Sequence, residues 1–360
     1  MKFSPRLWAI SVALIAGLPA TPVFAANICW IYPTGNPADT FTYQYNIGSV
    51  YVPKDAAIGS VIGMFDQPFS KTSQEGRYIF CDNDGTSTLT FITRAVAPVF
   101  PNPLPPVQGE DVTGKVFETG IPGIGAMIKL RHPFDGLASA SFVPMGKPTV
   151  PFQARLSAAV SAMRIRPLLG NVTLIKTGPI APGPQAVDRL LFYAQFNLIP
   201  RAFDFHLSGT VVQAQCNVST VSDDPVNLGD WRASDFSRAG EGTTPVAFNI
   251  RLGNCAADPG NVNVAWANIR LDGVNGSLPI PGIDGAFTLT GDSSAAGVGI
   301  QILRGDGLTP VPLARNVPLV ALTPGDTVMD LSARYIQTGD SRDVVPGQAK
   351  GALSFTISYL

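Results

Sequence analysis

The sequence predicts an all-β protein built as two β-sandwich domains, and three observations carry that expectation. Runs rich in Val, Thr, Ile and Phe alternate with turn residues along the chain, and long helical periodicity is scarce. Gly (36) and Pro (32) fill about a fifth of the 360 positions, above the ~12% of average usage and below the ~25% at which disorder sets in. The last ten residues alternate cleanly. Leu353, Phe355, Ile357 and Tyr359 face one way, and Ala352, Ser354, Thr356 and Ser358 face the other. That period of two marks a strand with one apolar face.

The first element is a targeting segment. Met1, Lys2 and Arg6 form a basic start, Leu7 to Leu18 an apolar run, and Val23 and Ala25 place small residues at the −3 and −1 positions. Residues 1–25 therefore read as a signal peptide cleaved after Ala25, which makes Ala26 the mature N-terminus of an exported protein. No later stretch is apolar over the ~20 residues that a spanning helix needs. Charged residues are 14% of the chain, against about 25% in a typical soluble domain, and the formal net charge is −1. Such a balance offers no basic surface for nucleic acid or for an anionic membrane.

Two domains are expected, 26–198 and 205–360, joined by a linker at 199–204. Pro200 interrupts the run around Asn197–Phe203, and a new strand starts at Phe205, with a kink at Gly209. In the first domain the strand-like runs are Thr40–Tyr45, Gly48–Val52, Arg77–Cys81, Thr88–Thr93, Gly125–Leu130, Arg164–Leu168, Asn171–Lys176 and Leu191–Leu198. Arg155–Met163 suits either a short helix or a strand. The Pro-rich run Ala97–Pro106 reads as a stiff spacer.

Four cysteines in an exported chain imply two disulfides. Three pairings exist on paper. The long gap between Cys81 and Cys216 favours Cys29 with Cys81 and Cys216 with Cys255. The absence of C-x-x-C spacing and the presence of just two histidines argue against a metal site. There is no G-x-S-x-G, H-E-x-x-H or Walker loop, so neither catalytic residues nor a cofactor are expected, and a secreted β-sandwich hydrolase is the weakest reading. The adjacent carboxylates Glu110–Asp111 and Asp223–Asp224 read as solvated turns.

From Phe205 onwards several spaced motifs occur in order: Gly209-Thr-Val-x4-Cys216-Asn-Val218, Val226-x-Leu-Gly229, Phe248-x-Ile-x-Leu-x2-Asn-Cys255, Gly297-Val-Gly-Ile-Gln-Ile302, Ala333-Arg-Tyr335-x4-Asp340, Pro346-Gly347 and the penultimate Tyr359. This segment resembles a pilin domain of the chaperone–usher fimbrial family. The resemblance implies an incomplete immunoglobulin-like sandwich that lacks its last strand. Its apolar groove would be filled by a periplasmic chaperone, then, at the outer-membrane usher, by the donor strand of the next fimbrial subunit. Leu353, Phe355, Ile357 and Tyr359 would form the strand that pairs with the chaperone.

The first domain resembles the lectin-like domain of fimbrial tip adhesins at Val50–Gly59, Phe80–Asp84, Gly123–Lys129 and Leu174–Ile180. Cleavage after Ala25 leaves three residues before Cys29, whereas a donor strand needs roughly ten. A tip adhesin is therefore expected, in preference to a structural adaptor subunit. The resemblance implies display at the fimbrial tip on the cell surface and a carbohydrate receptor on the host. In mannose-specific tip adhesins a Cys-x-Asn-Asp run supplies two sugar-binding side chains. Carried over by position these are Asn83 and Asp84, with Ala26 as the mature N-terminus beside the pocket, where that family has an aromatic residue. The same run, Asp82-Asn83-Asp84-Gly85, is equally good chemistry for an Asx turn, and both readings stand at this point.

Overall fold

The computed structural model describes residues 27–360; the expected signal peptide and Ala26 lie outside them. Among the described residues, regular structure is all strand apart from two 3₁₀ turns, Ala233–Asp235 and Ser341–Asp343. The fold is all-β, as the sequence predicts.

Buried apolar side chains gather into two main cores. The first runs from Cys29 to Val211 and is dense in aromatics, with Phe41, Tyr43, Phe91, Phe192, Phe203 and Phe205 fully buried. The second runs from Ala214 to Tyr359. The division falls inside one 23-residue strand, Ile199–Val221. Its first part pairs antiparallel with Pro184–Phe196 and parallel with Phe41–Pro53, and from Gln215 it pairs with Val246–Ala256. One strand thus runs through both units.

The linker expected at 199–204 is therefore corrected: those residues are strand. Pro200 follows the Asn197–Leu198 turn, where the ladder shifts between Ala194 and Phe196, and it has no ladder partner. A residue without an N–H forfeits nothing there. The kink expected at Gly209 is present. Its φ is 138°, the register shifts around it, and a side chain would press on Ile47 and on the Gly48 carbonyl.

Other boundaries sharpen in the same way. Thr40–Tyr45 and Gly48–Val52 are one strand, Phe41–Pro53. The ambiguous Arg155–Met163 resolves into two strands, Gln153–Leu156 and Val160–Ile165. Strand Val61–Lys71 escapes sequence reading because Gly63, Asp66 and Pro68 break its alternation. It pairs with Leu168–Lys176, which in turn pairs with Ile124–Leu130.

The Pro-rich run is more than a spacer. Leu104, Val107 and Val112 pack on Val116, Met127 and Ile175 in a third apolar cluster. That cover buries the outer face of the sheet, so Ile124–Leu130 is buried on nearly every residue. A strand covered on both sides reads as a continuous apolar run, without alternation.

Both disulfides pair as the spacing suggests. Cys29–Cys81 links Ile28–Tyr32 to Tyr78–Asn83, where the two residues are direct partners in the ladder. Cys216–Cys255 ties the second part of the long strand to Val246–Ala256.

Candidate assembly groove and binding clefts

The terminal strand Leu353–Tyr359 lies at a sheet edge. It pairs with Trp266–Gly273 in a register running from Leu353 opposite Gly273 to Tyr359 opposite Ala267, and its other edge has no ladder among the described residues. The face expected from the alternation is the inward one. Leu353, Phe355 and Ile357 are half-buried against the second core, and Tyr359 is buried. Ser354 and Thr356 are exposed.

Beside this edge the core stays open. A cleft of about 400 Å³ is lined by Val221 from the end of the long strand, by Phe248, Ile250 and Leu331, and by Leu353 and Phe355. A second cleft of about 540 Å³ shares Pro225, Val226, Leu228, Tyr335 and Lys350 with it. The two adjoin: the first is mainly apolar, and the second is mixed, with Asn227, Asp230, Gln348 and Lys350 in its lining. Such exposed apolar surface marks a docking site or a route to aggregation. Two phenol hydroxyls bond to backbone carbonyls, one where the clefts meet and one at the end of the terminal strand. Tyr335 Oη donates to the Ala349 carbonyl at 3.0 Å, and Tyr359 Oη donates to the Cys216 carbonyl at 2.9 Å. Burial pushes both phenols above their ordinary pKa.

The far end of the terminal strand also touches the first unit. Tyr359 N donates to Asp55 Oδ2 at 2.8 Å, and Asp55 N donates to the Tyr359 carbonyl at 3.0 Å. The Lys54 amide donates to the Ala214 carbonyl at 3.1 Å.

The Cys216–Cys255 bridge ties the long strand to Val246–Ala256 at the carbonyl that accepts the Tyr359 hydroxyl. It closes a separation of 39 residues, so its loss should cost about 4 kcal/mol in the chain-entropy account. Replacing both cysteines with Ala should lower the denaturant midpoint of the second unit correspondingly, measured with the groove occupied. An unchanged midpoint contradicts this.

In the first unit the Asn83 loop proves to be scaffold. Asn83 is 2% exposed. Its Nδ2 donates to the Ser87 and Ala158 carbonyls at 3.0 and 3.2 Å, and its Oδ1 accepts from Gly85 N at 3.3 Å. An amide engaged on both sides and shut from solvent cannot grip a sugar, so the receptor role carried over to Asn83 is corrected to an Asx turn. Asp84 is exposed, but Oδ1 already accepts from Thr86 N at 2.8 Å and from Thr86 Oγ1 at 2.6 Å. Those bonds hold its carboxyl below the usual range. The Asn83→Ala variant should lose about 2–3 kcal/mol by stranding buried carbonyls, with a smaller effect for Asp84→Ala. Thermal melts of the two variants check the order; equal melts contradict it.

A different cluster emerges around Glu110, which is not the solvated turn residue the sequence suggests. Lys129 Nζ lies 2.7 Å from Glu110 Oε2 and 3.0 Å from Asp66 Oδ2, and Lys147 Nζ lies 2.9 Å from Glu110 Oε1. The Glu110 side chain is 17% exposed and that of Lys129 19%. Burial alone would raise the Glu110 carboxyl, yet hydrogen bonds from Lys129 and Lys147 outweigh it and hold the group below its ordinary pKa. Burial likewise opposes the charged Lys129, and its bonds to Glu110 and Asp66 raise it above the ordinary value. One signal was available in the sequence: Lys129 is the lone charge in the strand Ile124–Leu130.

Neither histidine forms a usable nucleophile pair. His132 Nδ1 is 3.2 Å from Ser141 Oγ, but Ser141 is 2% exposed and beyond a substrate's reach. His206 faces Asp188 at 3.5 Å. Among the described residues no group of three His, Cys, Asp or Glu is placed to hold a metal ion.

Residues 205–360 match the family model for fimbrial protein. The chain is similar to the uncharacterised fimbrial-like protein SfmA of Escherichia coli (strain K12), with 33% identity over 159 residues, 43% of this chain and 83% of that protein. It is also similar to a fimbria adhesin protein of Klebsiella pneumoniae, with 25% identity over 327 residues, 88% of this chain and 91% of that protein. Among solved structures it aligns with the CupB6 tip adhesin from Pseudomonas aeruginosa at 17% identity and a TM-score of 0.36, covering 92% of this chain and 93% of that one.

Proposed function

This chain belongs to the fimbrial protein family, and from that membership we propose that it is a tip adhesin of a chaperone–usher fimbrium. The first unit binds a receptor. The second joins the adhesin to the fibre by accepting a strand from a partner, first a periplasmic chaperone and then, at the outer-membrane usher, the next subunit.

One observation carries the reading: a strand with a free edge, Leu353–Tyr359, borders an apolar groove. Strand addition supplies what both lack. Backbone bonds satisfy the edge, and alternate side chains of the incoming strand fill the groove. Two further observations favour the tip over the shaft. The strand Ile28–Tyr32 is paired with Tyr78–Asn83 and tied by a disulfide, so these residues are not free to serve a neighbour. The similarity to a fimbria adhesin protein extends over 88% of the chain, across both units.

Immunogold labelling of isolated fibres tests the placement. An antibody against the first unit should mark fibre ends, one site per fibre. Labelling repeated along the shaft would identify a structural subunit instead.

A further inference from the structure

The first unit reaches the docking edge itself. In the terminal ladder Trp266 and Leu360 exchange both backbone bonds, at 2.7 and 3.1 Å, and Tyr359 stands opposite Ala267. Bonded and non-bonded pairs alternate along an antiparallel ladder, so Ser358, Thr356 and Ser354 also bond to Trp266–Gly273. Tyr359, Ile357, Phe355 and Leu353 turn their N–H and C=O groups the other way, toward the free edge. At Tyr359 that edge is already taken. Asp55 N donates to the Tyr359 carbonyl at 3.0 Å, and Asp55 Oδ2 accepts from Tyr359 N at 2.8 Å. One residue thus supplies both a donor and an acceptor, its carboxylate standing in for a backbone carbonyl. The result reproduces the reciprocal pair that an added antiparallel strand would make.

Asp55 is exposed, but the turn that carries it is held from several sides. Strand Phe41–Pro53 pairs with the long strand as far as Pro53 opposite Ala214. Lys54 N then donates to the Ala214 carbonyl at 3.1 Å, and Ala56 N closes a turn onto the Pro53 carbonyl at 3.2 Å. Lys176, itself buried, donates from Nζ to the Lys54 carbonyl at 2.7 Å. The turn is therefore anchored both to the strand that leads into the second unit and to Leu168–Lys176 of the first. Beyond Tyr359, Leu360 spends its N–H and C=O on Trp266. The docking edge is thus reduced to Leu353, Phe355 and Ile357, about 13 Å at ~3.3 Å per residue. The lining of the groove agrees. Leu353 and Phe355 border the first cleft, whereas Tyr359, its hydroxyl bonded to the Cys216 carbonyl, does not.

We propose that Asp55 is the register stop of the docking edge: the donor strand of the next subunit pairs with Leu353, Phe355 and Ile357 and ends against the 54–56 turn of the first unit. The proposal rests on the strand-addition reading and adds a positioning residue to it. The test uses the full chain, isotopically labelled, with its groove occupied by a synthetic peptide of strictly alternating Val and Thr. Such a repeat has no side-chain preference between registers two residues apart, so the stop alone decides how far it reaches. NMR contacts between peptide protons and chain amides read the pairing. In the wild type they should appear at Leu353, Phe355 and Ile357 and be absent at Tyr359. Asp55→Ala removes the acceptor for Tyr359 N, so the peptide should advance two residues and contacts should appear at Tyr359. Asp55→Asn keeps an acceptor oxygen and should restore the wild-type pattern. Peptide contacts at Tyr359 in the wild type, none there in Asp55→Ala, or an Asp55→Asn pattern like that of Asp55→Ala would each overturn the proposal. If contacts at 353–357 persist in those cases, strand addition stands and the stop alone fails. A peptide that contacts none of the four amides in any variant would sink both.

Discussion

Replacing Phe355 with Asp should abolish recovery of this chain with its chaperone. Phe355 lies opposite Leu271 in the terminal ladder and lines the groove, half-buried against the second core. A carboxylate there loses water without gaining a partner. A penalty of ~3 kcal/mol, modest for an unpaired desolvated charge, already amounts to roughly a hundredfold in affinity. The control is the neighbouring residue. Ser354 is exposed on the opposite face, so Ser354→Asp adds the same charge without burying it and should co-purify like wild type. Equal yields from the two variants would mean that the alternation of the strand does not decide the pairing.

The second large effect concerns stability. Alone, the chain should melt low and aggregate, because the groove leaves Val226, Phe248, Leu353 and Phe355 only partly covered. A synthetic donor-strand peptide that binds the folded state should stabilise it by mass action. At a thousandfold excess over Kd that is ~4 kcal/mol, or about 10 °C in Tm for a domain of this size. A peptide of the same composition in scrambled order should not, since register depends on alternate side chains. A bare chain that stays monodisperse and gains nothing from the peptide would argue that the second unit is already complete.

Much of this was legible in the sequence, for identifiable reasons. Most strands, the Gly209 kink, the disulfide pairing and the apolar face of Leu353–Tyr359 follow from sequence patterns, whereas Val61–Lys71 does not, its alternation being broken by Gly63, Asp66 and Pro68. What was missed depends on distant contacts. Pro200 looked like a break because a sequence does not show that the ladder shifts beside it. Ala97–Pro106 looked like a spacer because its partners, Met127 and Ile175, lie far along the chain. Asn83 suited a sugar site as well as a turn, and only its burial and its bonds to Ser87 and Ala158 decide between them. Glu110 looked like a solvated turn residue because the two lysines that clamp it come from other segments. Residue chemistry was readable throughout, whereas the company each residue keeps was not.

On the proposed function, the free edge of Leu353–Tyr359 receives a strand from another chain. Hydrogen–deuterium exchange of the full chain, with and without the chaperone, measures this directly. In the free chain, amides of 353–358 that are not bonded to Trp266–Gly273 should exchange quickly, as should those flanking the groove near Val221, whereas Tyr359 N is held by Asp55. Binding should slow both sets together, because one added strand covers both lips. Strong protection of the outward amides of 353–358 before any partner is added, or protection on binding that falls elsewhere, would contradict a free edge.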